Sequence, residues 1–515
     1  MVNNVNTPFG NFLLPASVAR ELATEQVNAL MGGYSGASNK RSMQGWRAPS
    51  LDADSSLEYD LKKLRDRSSD LIRNNPLATG VINTKVTSVV GSGLKLKPSI
   101  KRKYLPISDE QADEWESTAE FEFNELAKTI NVSGNTSFAG MQDLAFRSVL
   151  EKGDTFALLV TKKRQNLPYT LGVQMIEAER VCNKNNKRNA DRLVDGIEKD
   201  EYGAPINYHI ITKHPGSTIN NKKTAWQIVA ANDANGRPQV LHLFKPLRPG
   251  QTRGIPDLAP VIDSLKQLGR YTEAELMAAV VGGMFSVFIK TEDGDGELEQ
   301  LTEGATNSEQ DLSLGNGAIV GLGPNESIEV ANPGRPNQAF DPFVLAILRQ
   351  IGTALELPYE ILIKHFTASY SASRAAMIEA WRFFMARRQW LAERFCQPIY
   401  EAMIDEAVAM GRLKAPGYFS DPFIRAAYLG AEWVGQSPGQ IDPLKSAKSD
   451  ELLNKMGVKT LDQITKETTG GDWDANHQQL VKENNRRTKD GLNVTPSADV
   501  GELLPEDQQN EGDVS

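Results

Sequence analysis

The chain has 515 residues, 40% hydrophobic and 24% charged, with 57 Lys and Arg against 66 Asp and Glu for a formal net charge of −9. That length supports about two to four domains with sizeable cores. The acidic balance argues against tight, extensive binding of duplex DNA, because such affinity comes largely from Lys and Arg meeting phosphates.

Two cysteines, Cys182 and Cys396, are too few for a disulfide framework. The N-terminus lacks the basic and apolar pattern of a secretion signal. The longest apolar run, 278–289, is too short to span a bilayer and holds two glycines. A soluble intracellular or virion protein with no membrane partner is expected.

Residues 1–55 read as an arm with a short amphipathic helix around 17–31. A helical pattern at 56–90 breaks at Pro76, and 89–100 reads as a strand or turn. A helix at 109–130 offers Trp115, Phe121 and Phe123 to the core. The character changes over 138–247. Runs at 156–162, 169–176, 205–212, 225–231 and 239–244, parted by turn formers, predict an antiparallel β-rich region.

A helix then runs over 257–281, with Pro260 in its first turn. β-like runs at 284–291 and 318–322 flank a segment with eight carboxylates between Glu292 and Asp311. A helix at 339–356 stops before Pro358. The longest helix spans about 373–410, with an apolar stripe interrupted by Arg388 and a kink or end at Pro398. Helices at 445–456 and 472–485 precede an acidic tail, which reads as disordered. The expected class is α+β.

Signs of catalysis are weak. No Gly-Lys-Ser/Thr phosphate loop is present, so the chain is not expected to drive an ATPase cycle. The glycines at 315–324 lack dinucleotide-fingerprint spacing, and read as turns. EDGDGE at 292–297 resembles the start of a calcium loop, but Gly304 stands where the closing Glu belongs. The five histidines, at 209, 214, 242, 365 and 477, are scattered and show no metal spacing with either cysteine. Ser371 and Ser373, near His365, lack a nucleophile elbow and read as helix caps. No catalytic residue, metal or cofactor is expected.

Residues 33–98 carry, in order, a GW-R-P loop (45–49), a helix with R-x-R-S-x-D-L-x-R-N-N-P (65–76) and V-G-x-G-L-x-x-x-P (90–98). This order resembles the N-terminal region of lambda-type tailed-bacteriophage portal proteins. Four blocks continue the match in sequence: 242–265, 357–391, 432–450 and 470–484.

The resemblance implies a portal fold: a mixed α/β wing, a two-helix stem, a small α/β clip, a long tunnel helix and a helical crown, in a ring of about twelve copies. By position, the arm is 1–55, the wing 56–256 with its β-rich part at 138–247, and the first stem helix 257–283. The clip is 284–338 and the second stem helix 339–356. The tunnel loop, long helix and remaining wing take 357–439, the crown 440–490 and the tail 491–515.

It also implies a non-enzymatic channel for DNA packaging and ejection at one capsid vertex, met in the virion and, during assembly, in the host cytoplasm. The implied partners are further copies of the chain, the terminase large subunit, the major capsid protein, a scaffold or prohead protease, head–tail connector or adaptor proteins, and double-stranded DNA held weakly and without sequence preference. A nuclease or ATPase of the packaging apparatus is the competing reading.

Three features invite a functional role. The loop from Lys364 to Ser373 offers Lys364, His365, Thr367, Tyr370 and Ser371 to DNA, through charge and stacking. The basic run Lys95, Lys97, Lys101, Arg102 and Lys103 faces DNA, an acidic partner, or simply solvent. The acidic stretch with Glu292, Asp293, Asp295, Glu297 and Glu299 faces the pore, where it repels phosphate, or the clip exterior, where it meets a basic motor subunit.

Overall fold

The computed structural model describes residues 2–7, 10–15, 37, 41–43, 45–218, 225–283, 287–291, 326–330, 339–366, 369–439 and 442–492. The chain divides into two compact units, Met1–Ser56 and Leu57–Ser515. In the first, β1 (Val2–Thr7) pairs antiparallel with β2 (Gly10–Pro15). The helix expected at 17–31 lies outside the described residues.

The second unit opens with α1 (Leu61–Asn74) and α2 (Pro76–Val89), which meet at the expected break. Asn75 is extended, and its side chain accepts hydrogen bonds from the N–H groups of Leu77 and Ala78. Pro76 sits in the first turn, where its missing N–H loses no intrahelical bond. After β3 (Lys95–Pro98), α3 (Asp109–Ala127) starts with a reciprocal cap between Ser108 and Gln111. It buries Trp115 and Phe123, but Phe121 is 65% exposed, contrary to expectation. Residues 121 and 123 lie about 200° apart around a helix, so both cannot face one core.

The β-rich region also needs a correction. Residues Phe138–Lys152 form a helix, α4, capped by Ser137, which buries Phe138, Met141, Ala145, Phe146 and Val149 on one face. The strands that follow are β4 (Asp154–Thr161), β5 (Leu171–Ile176), β6 (Leu193–Val194), β7 (Ile197–Lys199), β8 (Pro205–Ile211), β9 (Trp226–Ala230) and β10 (Val240–Phe244). They make two antiparallel sheets, ordered β10–β4–β5 and β6–β7–β8–β9. Phe156, Ile176, Val181, Ile197, Tyr208 and Val240 form a small core of their own.

A 3-10 turn holding Pro260 leads into α5 (Ile262–Gly283). β11 (Val287–Thr291) pairs antiparallel with β12 (Glu326–Val330). The strand expected at 318–322 lies outside the described residues, as do all the carboxylates of 292–311. α6 (Phe340–Ala354) returns beside α5, with the Tyr271 ring 5.5 Å from Phe340 and 5.2 Å from Phe343. After the short α7 (Tyr359–Ile363), α8 (Tyr370–Leu391) begins three residues earlier than expected. Pro398 does not break it. A π turn at Ala392–Cys396 comes first, and the proline falls in the first turn of α9 (Gln397–Ala409). α10 (Pro422–Tyr428) and β13 (Ala431–Val434) follow, and β13 pairs antiparallel with β3. Three helices end the described chain: α11 (Pro443–Lys455), the unanticipated α12 (Leu461–Thr469), and α13 (Trp473–Lys489).

The main core joins α2, α3, α4, α8 and α9 through residues such as Ile82, Phe123, Phe138, Phe395 and Met403. Phe138 meets Phe123 edge-on at 5.3 Å and stacks on Phe395 at 5.7 Å. Buried charges brace this core. Asp154, fully buried, accepts from Arg65 (2.8 Å), Arg253 Nε (2.6 Å) and the Gly254 N–H (3.2 Å), and pairs with His242 at 3.3 Å. Burial alone would raise its pKa, but Arg253 and Arg65 overcome that and hold the carboxyl well below its usual range. Gly153 makes the close approach possible. Its φ is +91°, and a Cβ there would sit 2.4 Å from the Gly254 backbone.

Arg388, the odd charge in the long-helix stripe, is 6% exposed. It donates from Nε to the Val89 carbonyl at 3.0 Å and from Nη2 to the Ser88 carbonyl at 3.1 Å. It thereby caps the C-terminal end of α2.

Candidate functional site

The connection between α7 and α8 is built on a rigid base. The Leu357 N–H donates to the Gly352 carbonyl, and Leu355, Leu357 and Leu362 are buried. At the other end, Trp381, Phe384 and Arg388 fix α8 to the body. The short loop between them turns sharply. Lys364 adopts the left-handed conformation at φ 56°, its N–H bonds to the Glu360 carbonyl, and the His365 N–H reaches the same carbonyl at 3.1 Å. With the loop backbone so occupied, the side chains of Lys364, His365 and Phe366 all face outward.

Ser369, not Ser371 or Ser373, caps α8. Its side chain accepts from the Ala372 N–H. Ser371 is exposed and Ser373 half-buried in the first turn. Thr367 lies outside the described residues, and Tyr370 is the first residue of α8. Two residues missed in the sequence join this surface: Phe366, 52% exposed, and Arg374, exposed one turn into α8. An aromatic residue beside Lys-His in an otherwise polar loop was the available signal. Behind the loop, Ile361, Phe366, Met377, Trp381, Phe384 and Pro438 line an apolar cleft of about 430 Å³.

The basic run is not one surface. Lys95, Lys101 and Lys103 are exposed. Lys97 is half-buried and bridges Asp462 (3.2 Å), Asp472 (3.3 Å) and Asp474 (3.3 Å), tying β3 to the starts of α12 and α13. Burial opposes its charge, but these carboxylates raise its pKa further above the usual lysine value. Arg102 pairs with Glu116 at 2.8 Å and with Asp113. The acid-rich start of α3 therefore lies against the same run.

The half-buried histidines have structural partners. His209 Nε2 lies 2.7 Å from Glu198, and His242 joins Asp154. Among the described residues, no cluster of His, Cys, Asp or Glu is arranged to hold a metal ion. No helix among them is long and apolar enough to cross a membrane. Glu292, Asp293, Asp295, Glu297 and Glu299 lie outside the described residues.

The sequence pattern of the phage portal proteins of the lambda family matches residues 39–388. The portal protein of Escherichia phage N15 is 25% identical over 488 residues, and portal protein B of Escherichia phage lambda is 24% identical over 486. Each alignment covers 90% of this chain and 90% of the relative. A chain from the neck of a native gene transfer agent particle, computed with C12 symmetry, overlays 77% of this chain and 92% of its own length. It does so at 12% identity with a TM-score of 0.45. The match over most of its length shows that this chain belongs to the lambda family of phage portal proteins, and it is a structural protein rather than an enzyme.

Proposed function

We propose that the protein assembles into a ring of about twelve copies at one capsid vertex and forms the channel through which DNA enters and leaves. The observation that carries this reading, beyond family membership, is the α7–α8 connection. A short loop on a buried base presents Lys364, His365 and Phe366 outward, with Arg374 nearby. Repeated around a ring, it supplies a few cations and aromatic faces to a passing duplex. Weak, sequence-independent contact suits transport, since each neutralised phosphate adds a salt-sensitive increment of affinity. In this reading α5 and α6 are the stem, β11 and β12 belong to the clip, and α11 to α13 form the crown. The clip receives terminase during packaging and head–tail connector proteins afterwards. Glu292, Asp293, Asp295, Glu297 and Glu299 would give that docking surface, or the pore beside it, an acidic lining.

The deciding measurement is the particle mass of purified protein, with images of the same sample. Rings near twelve times 56.6 kDa, about 680 kDa, with a central hole are expected. A species that stays monomeric or dimeric at high concentration overturns the reading.

A further inference from the structure

Residues 183–192 form the loop that leads into β6, and the loop is braced from within. The buried Asn183 donates from Nδ2 to the Lys187 carbonyl (3.0 Å) and to Asn189 Oδ1 (2.9 Å). Its Oδ1 accepts from the Gly196 N–H at 2.7 Å, and Asn189 Oδ1 accepts from the Asp195 N–H at 2.9 Å. Ala190 and Leu193 exchange two backbone hydrogen bonds, 2.9 and 3.1 Å long, across a tight turn. Asn185 takes the left-handed conformation at φ 58°, which asparagine tolerates better than most residues. The flanking Val181 and Ile197 are buried in the second, smaller core, so the loop belongs to that core and not to the α7–α8 connection.

What this fixed backbone displays is positive charge. Lys184, Lys187, Arg188 and Arg192 are all exposed, and none has an ion-pair partner among the described residues. Asp191 is the one acid in the segment, although the chain as a whole carries a net charge of −9. The only apolar side chain from 183 to 192 is Ala190. The core of a protein–protein interface favours aromatic residues and Met and is depleted in Lys, so a protein partner fits this surface poorly. Lys, Arg and Asn together are the residues that meet phosphate oxygens. Without an aromatic ring the loop offers nothing for a base to stack on, so the contact carries no sequence preference. Because the backbone is already ordered, little further ordering is needed on binding.

We infer that the loop 183–192 is a second DNA-contacting surface, which holds the phosphate backbone of duplex DNA outside the channel. Its place outside the channel rests on the ring reading above; the contact itself belongs to the single subunit. The probe is a relaxed, covalently closed circular duplex, which cannot thread a preformed ring. The full chain should bind it with an affinity that falls as NaCl rises. Replacing Lys184, Lys187, Arg188 and Arg192 together by Gln should weaken that binding at least tenfold at about 50 mM NaCl and reduce the salt slope by about 3–4. Lys364→Ala should bind the circle as the wild type does. All four side chains are exposed, so particle mass and thermal melting of the quadruple variant should be unchanged. A circle that fails to bind wild type, that binds the quadruple variant equally well, or that loses as much affinity with Lys364→Ala overturns the second surface and leaves the ring reading standing. Poly-glutamate that displaces the circle better than linear duplex at equal charge points to an acidic protein instead, and also overturns it. A chain that stays monomeric yet loses circle binding through the four substitutions overturns the ring reading and leaves the contact standing.

Discussion

Two charged regions of this molecule do opposite jobs. Around Asp154, two arginines and a histidine converge on a carboxylate with no exposure, and every partner comes from a different part of the chain. Around Lys97, three carboxylates gather at similar distances, but each keeps a third or more of its side chain exposed. The first cluster is costly to break, because removing one member strands buried charge. The second is screened by water and salt, and contributes little to global stability. The contrast teaches that the body is braced by buried charge, whereas α12 and α13 are tied to it through partly exposed ion pairs.

Substitution tests that contrast directly. Asp154→Asn leaves Arg65 and Arg253 without their counter-charge and should cost about 3–5 kcal/mol in denaturant unfolding. The same cluster sets a pH dependence. His242 has a folded pKa held down, chiefly by burial, so the unfolded chain takes up a proton that the native one refuses. Stability should therefore fall as pH drops below about 6.5. Asp154, also depressed, contributes fully above its unfolded pKa and loses its share only below about pH 4. Thermal melts from pH 8 to pH 3 on wild type and His242→Gln would separate the two.

Arg388→Met keeps the stem of the side chain but strips two carbonyls of a charged donor. A loss of about 2 kcal/mol is expected in the same unfolding assay. Lys97→Met should change global unfolding by less than about 1 kcal/mol, while amide exchange across 443–492 speeds up. If it destabilises the body as much as Asp154→Asn does, the contrast between the regions is wrong. Smallest of all, Lys364→Ala should leave stability unchanged and lower the salt slope of DNA binding by about 1 for each loop that touches a phosphate.

Much of this architecture was legible where a single period dominated. The break at Pro76, the long helix after the loop and the β runs of the second core follow from local pattern. α4 was missed because its apolar stripe runs straight into β4, whose aromatic and β-branched residues coloured the reading of the whole stretch. Phe121 was misplaced by counting apolar residues without following their angle around the helix. The loop was found, but its cap was assigned to Ser371 and Ser373, although Ser369 lies at the true start. The Asp154 cluster had no local signal, since residues 65, 154, 242 and 253 meet only in the folded chain.

The pairing of β3 with β13 has a consequence for how the protein is made. Leu96 leaves the ribosome early, but its partner Trp433 emerges only after the whole intervening body. Throughout that interval β3 is an unmated edge, the kind of strand that recruits other nascent chains. Its composition, Lys-Leu-Lys-Pro, reads as protection for that wait: two charges and a proline discourage a foreign strand from pairing before the proper one arrives.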